Sequence, residues 1–265
     1  MKKLHSFYPT LRLSWAMAGL LLGSAMAAAF PVNMMMSLAG NAPVLLSWGL
    51  LASYVLPFLC VAGFILLLQR TAPATAILPV KKNRSPEVFL CCFVFTPLLA
   101  FLIEPLTAWL PMPGFMKELF AQLSRNDFPT FLMVVIAAPF CEEWLCRGVI
   151  ARGLLRHSTP ARAIVWSAFI FAIIHGNPWQ AVPAFIIGLL LGYVYWKTRS
   201  LWPCIFIHFI NNGVSFLVVS LFPEAAAEDA ASQSLLGHWY WPVFAAAAIA
   251  APGVGAVFYK VLNRK

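Results

Sequence analysis

The 265-residue chain is 62% hydrophobic and only 10% charged, with a mean hydropathy of +0.82. A soluble domain of this size covers itself with about 25% charged residues, so a soluble globular enzyme is excluded. The net charge of +9 does not point to nucleic acid, because the basic residues sit in short loops between apolar runs and report topology instead.

Those runs are close to the ~20 residues a helix needs to cross about 30 Å of hydrocarbon at 1.5 Å per residue. They lack the alternation of a membrane barrel, and lipid leaves no other option for the backbone. In chain order the spans are 13–36, 44–68, 88–110, 130–150, 163–175, 181–196, 201–222 and 241–261. The expected fold is therefore all-α, a polytopic membrane helix bundle of about eight transmembrane helices. It divides into 1–128 with the first three spans, 129–222 as the core, and 223–265 with an outer loop, the last span and a basic tail.

Lys and Arg test this partition independently. The N-terminus carries Lys2, Lys3 and Arg12, the second loop Arg70, Lys81, Lys82 and Arg84. Arg147, Arg152, Arg156 and Arg162 fall at the fourth loop, Lys197 and Arg199 at the sixth, and Lys260, Arg264 and Lys265 at the C-terminus. Of the 18 basic residues only Lys117 and Arg125 occupy the alternate loops, which also hold Glu118, Asp127, Glu224, Glu228 and Asp229. The positive side is cytoplasmic, so both termini are expected there, in a multi-pass protein of the cell's inner membrane. Trp109, Trp179, Trp196, Trp202, Trp239 and Trp241 fall near span ends, as an interfacial belt would. The first apolar run is too long for a signal-peptide core and reads as an uncleaved anchor. The six cysteines, Cys60, Cys91, Cys92, Cys141, Cys146 and Cys204, lie within spans and read as small buried residues.

An ionisable group inside a span opposes insertion by about 2.5–3.5 kcal/mol, so each one needs a reason. They are Glu104, Glu142, Glu143, Arg147, His175 and His208, accompanied by Asn211 and Asn212. All but Glu104 fall in spans four, five and seven. Glu143 and Arg147 are four apart, acid first, the favourable order for an ion pair on one helix face. Glu142 points about 100° away and has no local partner. Two readings of this segment stand level: both acids hold helices together, or Glu142 is a general base. His208 and Asn212 share a face and suit an oxyanion hole, or else hydrogen bonds between helices. Gly188 and Gly192 suit close helix approach. Glu104, beside Pro105, marks a broken helix or a second polar contact. His5, His157 and His238 lie in loops and receive no role.

Glu142-Glu143-x-x-x-Arg147, Phe171-x-x-x-His175 and His208-x-x-x-Asn212, in that order, resemble the three motifs of the CAAX-protease and bacteriocin-processing (CPBP, or Abi) family of intramembrane glutamic proteases. Gly188, Gly192, Thr198, Ser200, Leu201, Trp202 and Pro203 continue the likeness, which spans about 129–218. Cys146 stands where an aromatic is common and Arg199 where a glycine is frequent. The resemblance implies peptide hydrolysis by a glutamate-activated water. Glu142 would be the base, His175, His208 and Asn212 would position water or stabilise the oxyanion, and Glu143 and Arg147 would orient the site. It implies a membrane-associated substrate, lipidated or bacteriocin-like: eukaryotic relatives trim prenylated tails, and bacterial relatives are linked to bacteriocin maturation, immunity and peptide signalling.

No metal or other cofactor is expected. The alternative is a zinc on Glu142, His175 and His208, which would leave no base except the ion-paired Glu143. A non-catalytic scaffold or immunity protein of the same fold is a further reading, and a proton-coupled transporter another. Besides lipid and a membrane-associated substrate no partner is indicated, and nothing speaks to oligomeric state. One expectation strains the assembly. Counted from the cytoplasmic span ends, His175 lies about 20 Å deep and His208 only about 10–13 Å.

Overall fold

The computed structural model describes residues 9–38, 43–71, 85–108, 110–117, 125–223 and 231–264. Of the residues used to argue topology, Lys2, Lys3, Lys81, Lys82, Arg84, Trp109, Glu118, Glu224, Glu228, Asp229 and Lys265 lie outside that set. His5 and the side chain of Arg70 do too. The described residues are mostly helical and form no strand.

The long helices are α1 (Leu11–Leu38), α2 (Pro43–Thr71), α3 (Pro86–Ile103), α4 (Phe128–His157), α5 (Pro160–Ile173), α6 (Pro178–Thr198), α7 (Trp202–Leu221) and α8 (Tyr240–Leu262). Seven are long and apolar enough to cross a bilayer, which makes this a multi-pass membrane protein. The remaining one, α5, is the shorter apolar helix of the set. α5 has 14 residues and rises only about 21 Å, short of a ~30 Å hydrocarbon layer. α5 and α6 form a hairpin that turns through His175 and Gly176, the latter at φ +70.

Local chemistry starts these helices. Asp127, Thr159 and Asn177 each cap a helix, accepting a hydrogen bond from the backbone N–H of Thr130, Arg162 and Gln180, with a proline in the first turn. α3 stops at Ile103, and a one-turn helix resumes at Pro105. Both readings of Glu104 therefore hold: it sits at the break, and its Oε1 accepts from the backbone N–H of Ser232 at 2.8 Å. α6 ends on Arg199 at φ 52, a left-handed position that suits glycine and disfavours a side chain by about 1–2 kcal/mol.

α4 is the central helix. Half of its apolar window is buried, against 22% for α2 and 6% for the last span. On one side Leu145 and Ile150 join Met17 and Val61 of the α1–α2 hairpin and Ile170 of α5. On the other, Cys146 joins Cys92, Phe171, Leu191, Cys204, Ile207 and Phe258 from α3, α5, α6, α7 and α8. Gly188 and Gly192 bring α6 against α5, as their spacing suggests. A Cβ on Gly188 would stand 3.1 Å from the backbone of Ala168, and one on Gly192 3.1 Å from Ile164.

Candidate active site

α4 is not a uniform α-helix. π-helical stretches at Leu132–Ala137 and Trp144–Ala151 flank the α-helical Ala138–Glu143. Wider turns of this kind are rare and concentrate where a helix must re-aim side chains. Here they bracket the two adjacent glutamates, which serve two different environments.

Glu143 belongs to a sealed half. Its Oε1 accepts from Arg147 Nη1 at 2.8 Å and from His208 Nδ1 at 2.9 Å. The Glu143 and Arg147 side chains are both 0% exposed. Arg147 Nη2 donates to the carbonyl oxygen of Gly188 at 3.1 Å, where the absent side chain lets the guanidinium reach the α6 backbone. The guanidinium also lies 4.3 Å from the centre of the Phe171 ring. One buried cation thus ties α4 to α5 and α6, and its partner Glu143 ties α4 to α7.

Glu142 belongs to a more open half, with its side chain 11% exposed and that of His175 20% exposed. Its Oε2 lies 4.0 Å from His175 Nε2 and 4.0 Å from His208 Nε2. Its Oε1 accepts from the hydroxyl of Tyr54, on α2, at 2.5 Å. Each imidazole is held by its other nitrogen: His175 Nδ1 donates to Phe171 O at 2.7 Å, and His208 Nδ1 to Glu143 Oε1. An acceptor on Nδ1 places the proton there, so Nε2 of both rings is turned toward Glu142. Phe171 braces both rings edge to face, with centroids at 5.0 Å from His175 and 5.6 Å from His208.

The expected residues thus come together, with one difference. Asn212 donates through Nδ2 to Val134 O at 2.9 Å and accepts from Asn211 at 3.2 Å. It lies beside the π-helical turn of α4 and keeps a second amide hydrogen. The depth conflict between His175 and His208 disappears, because both Nε2 atoms reach the same oxygen. Rises along two helices compare only if the helices start at one level and run at one tilt. Among the described residues no group of three or more His, Cys, Asp and Glu side chains is placed to hold a metal ion.

Two residues escape the sequence reading. Phe171 appears there only as a motif letter, and its bracing of two imidazoles needs the fold. Tyr54 is not ionised in lipid and so fails the test of electrostatic cost. The available signal was a phenol hydroxyl mid-span, where a polar group requires a partner.

Residues 124–214 match the family model described as type II CAAX prenyl endopeptidase Rce1-like. This segment is Rce1-like. It coincides within a few residues with the stretch on which the motifs suggested the resemblance. The Rce1-like segment contains Glu142, Glu143, Arg147, Phe171, His175, His208 and Asn212, whereas Tyr54 lies outside it. No curated protein and no solved structure gives a significant match to the chain.

Proposed function

We propose that the chain is an intramembrane endopeptidase in which Glu142 activates a water molecule. The observation that carries this reading is the placement of Glu142 Oε2 4.0 Å from Nε2 of both His175 and His208. That separation is too long for a direct hydrogen bond and is one that a single water spans with two. The Glu142 side chain is 11% exposed and that of Glu143 0%, a difference that supports the same division of labour.

Glu142 takes a proton from water held against His175, and the hydroxide adds to the scissile carbonyl carbon. The resulting oxyanion is met by the second amide hydrogen of Asn212 and by the His208 ring. The carbon–nitrogen bond then breaks, and the proton on Glu142 passes to the leaving amine. Glu143 and Arg147 hold the His208 ring throughout. The reading is metal-free. Two ligands about 2.0–2.1 Å from a tetrahedral zinc stand about 3.3 Å apart, closer than the 4.0 Å measured from Glu142 to either histidine.

The substrate is a membrane-associated peptide, lipidated or bacteriocin-like; the likeness to prenyl endopeptidases supports the lipidated class. The distribution of Lys and Arg supports cytoplasmic termini and an inner-membrane location. Glu142→Gln should insert and fold normally yet lose at least about 10³-fold in cleavage, since the amide cannot take a proton. The measurement is a comparison of membrane-proteome N-termini between wild type and variant, with and without a chelator. Equal sets of termini would sink the protease, and activity lost to the chelator and restored by zinc would sink the metal-free mechanism.

A further inference from the structure

We infer that Tyr54 is a positioning residue of this site, and that the α1–α2 hairpin supplies a working part of the catalytic machinery from outside the Rce1-like segment. The inference rests on Glu142 being the base. The Tyr54 hydroxyl donates a hydrogen bond to Glu142 Oε1. Among the described residues it is the one direct hydrogen bond the carboxylate accepts, because Oε2 is buried without a hydrogen-bond partner. The two imidazoles present nitrogens whose own N–H groups point elsewhere. The phenol is therefore the donor that decides how the carboxylate is turned.

A glutamate's terminal torsion is soft, with broad wells rather than sharp ones. Left alone, the carboxylate plane could rotate and carry Oε2 off the line to the two histidines. Holding Oε1 from the far side fixes that plane and leaves Oε2 free for water. The phenol is itself placed firmly. Its ring lies 5.5 Å from that of Phe58, which is buried, and it packs with Cys141 and Trp144 of α4 against the cluster around Val61, Leu145 and Ile170. Phenylalanine would fill that volume equally well. What tyrosine adds is one oxygen, and a hydroxyl in an apolar interior is unfavourable unless it is bonded.

The test uses the full chain in lipid nanodiscs, with a quenched fluorescent peptide ending in a farnesylated CAAX-type tail as probe. Four proteins are compared: wild type, Tyr54→Phe, Phe58→Leu and Glu142→Gln. Removing only the oxygen should lower kcat by about 10- to 100-fold, the order expected when a reacting group shifts by up to 1 Å, with KM unchanged within about twofold. Phe58→Leu, which disturbs packing but keeps the hydroxyl, should leave kcat within a few-fold of wild type. Wild-type kcat in Tyr54→Phe, with Glu142→Gln inactive, overturns the inference and leaves the protease standing. So does a loss that appears in KM alone, or an equal loss in Phe58→Leu. Cleavage by Glu142→Gln at the wild-type rate, or none by wild type, overturns the reading of Glu142 and the inference with it.

Discussion

The α4–α7 segment and the α1–α2 hairpin are built from similarly apolar helices, yet they handle polar groups differently. In α4–α7 the polar side chains form a connected set: Arg147 holds Glu143, Glu143 holds His208, and His208 and His175 face Glu142. Arg147, Glu143 and His208 link α4 to α6 and α7, so the segment is held by its own interior. Among its described residues the α1–α2 hairpin shows no such network. It meets α4 through apolar contacts and through two hydroxyls, Tyr54 on Glu142 and Ser47 on Asp127. Charges that would be prohibitive in lipid advertise themselves in a sequence. Hydroxyls do not, although one of them touches the base.

The contrast can be broken at several strengths. Glu142→Gln should abolish cleavage without unfolding the chain, and Tyr54→Phe should reduce kcat while sparing KM. Arg147→Met should act on stability. It leaves Glu143 buried beside His208 without its cation, and breaking such a pair destabilises by about 3–5 kcal/mol. A thermal melt in detergent should show a large drop, and a melt within a degree of wild type would mean the network is not what holds α4–α7 together. Gly188→Ala puts a methyl 3.1 Å from the Ala168 backbone and pushes α6 off α5. About 1–3 kcal/mol should be lost, the usual effect of overpacking, and the Arg147–Gly188 bond should lengthen.

The smallest effect belongs to the cap of α4. Burial alone would raise the Asp127 carboxyl, but hydrogen bonds from Ser47, Thr130 and Arg125 outweigh it and hold the group below its ordinary value. Its contribution is therefore present above the usual carboxylate range and lost as pH falls through the lowered value. Asp127→Ala should remove about 1 kcal/mol, and it should flatten the acid side of a stability–pH curve measured by denaturant titration. An unchanged acid limb would show that the Ser47–Asp127 contact contributes nothing to joining α2 and α4.

Much of the site was legible because lipid makes charge expensive. Glu142, Glu143, Arg147, His175 and His208 could be picked out as groups with no business in hydrocarbon unless they met one another. The spacing of Glu143 and Arg147 named the one pair formed within a single helix. The glycines of α6 were readable for a related reason, since only a missing side chain allows backbones to approach so closely. The short α5 was visible as a short apolar run, and with it a hairpin with α6 that need not reach the outer surface.

Sequence alone determined that this chain is a bundle of membrane helices and which charged side chains its middle helices must bring together. Both follow from the hydrophobic length of each run and the penalty for an unmatched charge, which are local properties. Only the tertiary structure decided that His208 bridges two neighbouring glutamates, that Phe171 braces both imidazoles, and that Tyr54 reaches Glu142 across 88 residues of chain. Those contacts depend on the levels at which helices start and the faces they turn to one another. Packing sets these quantities, and no single helix encodes them.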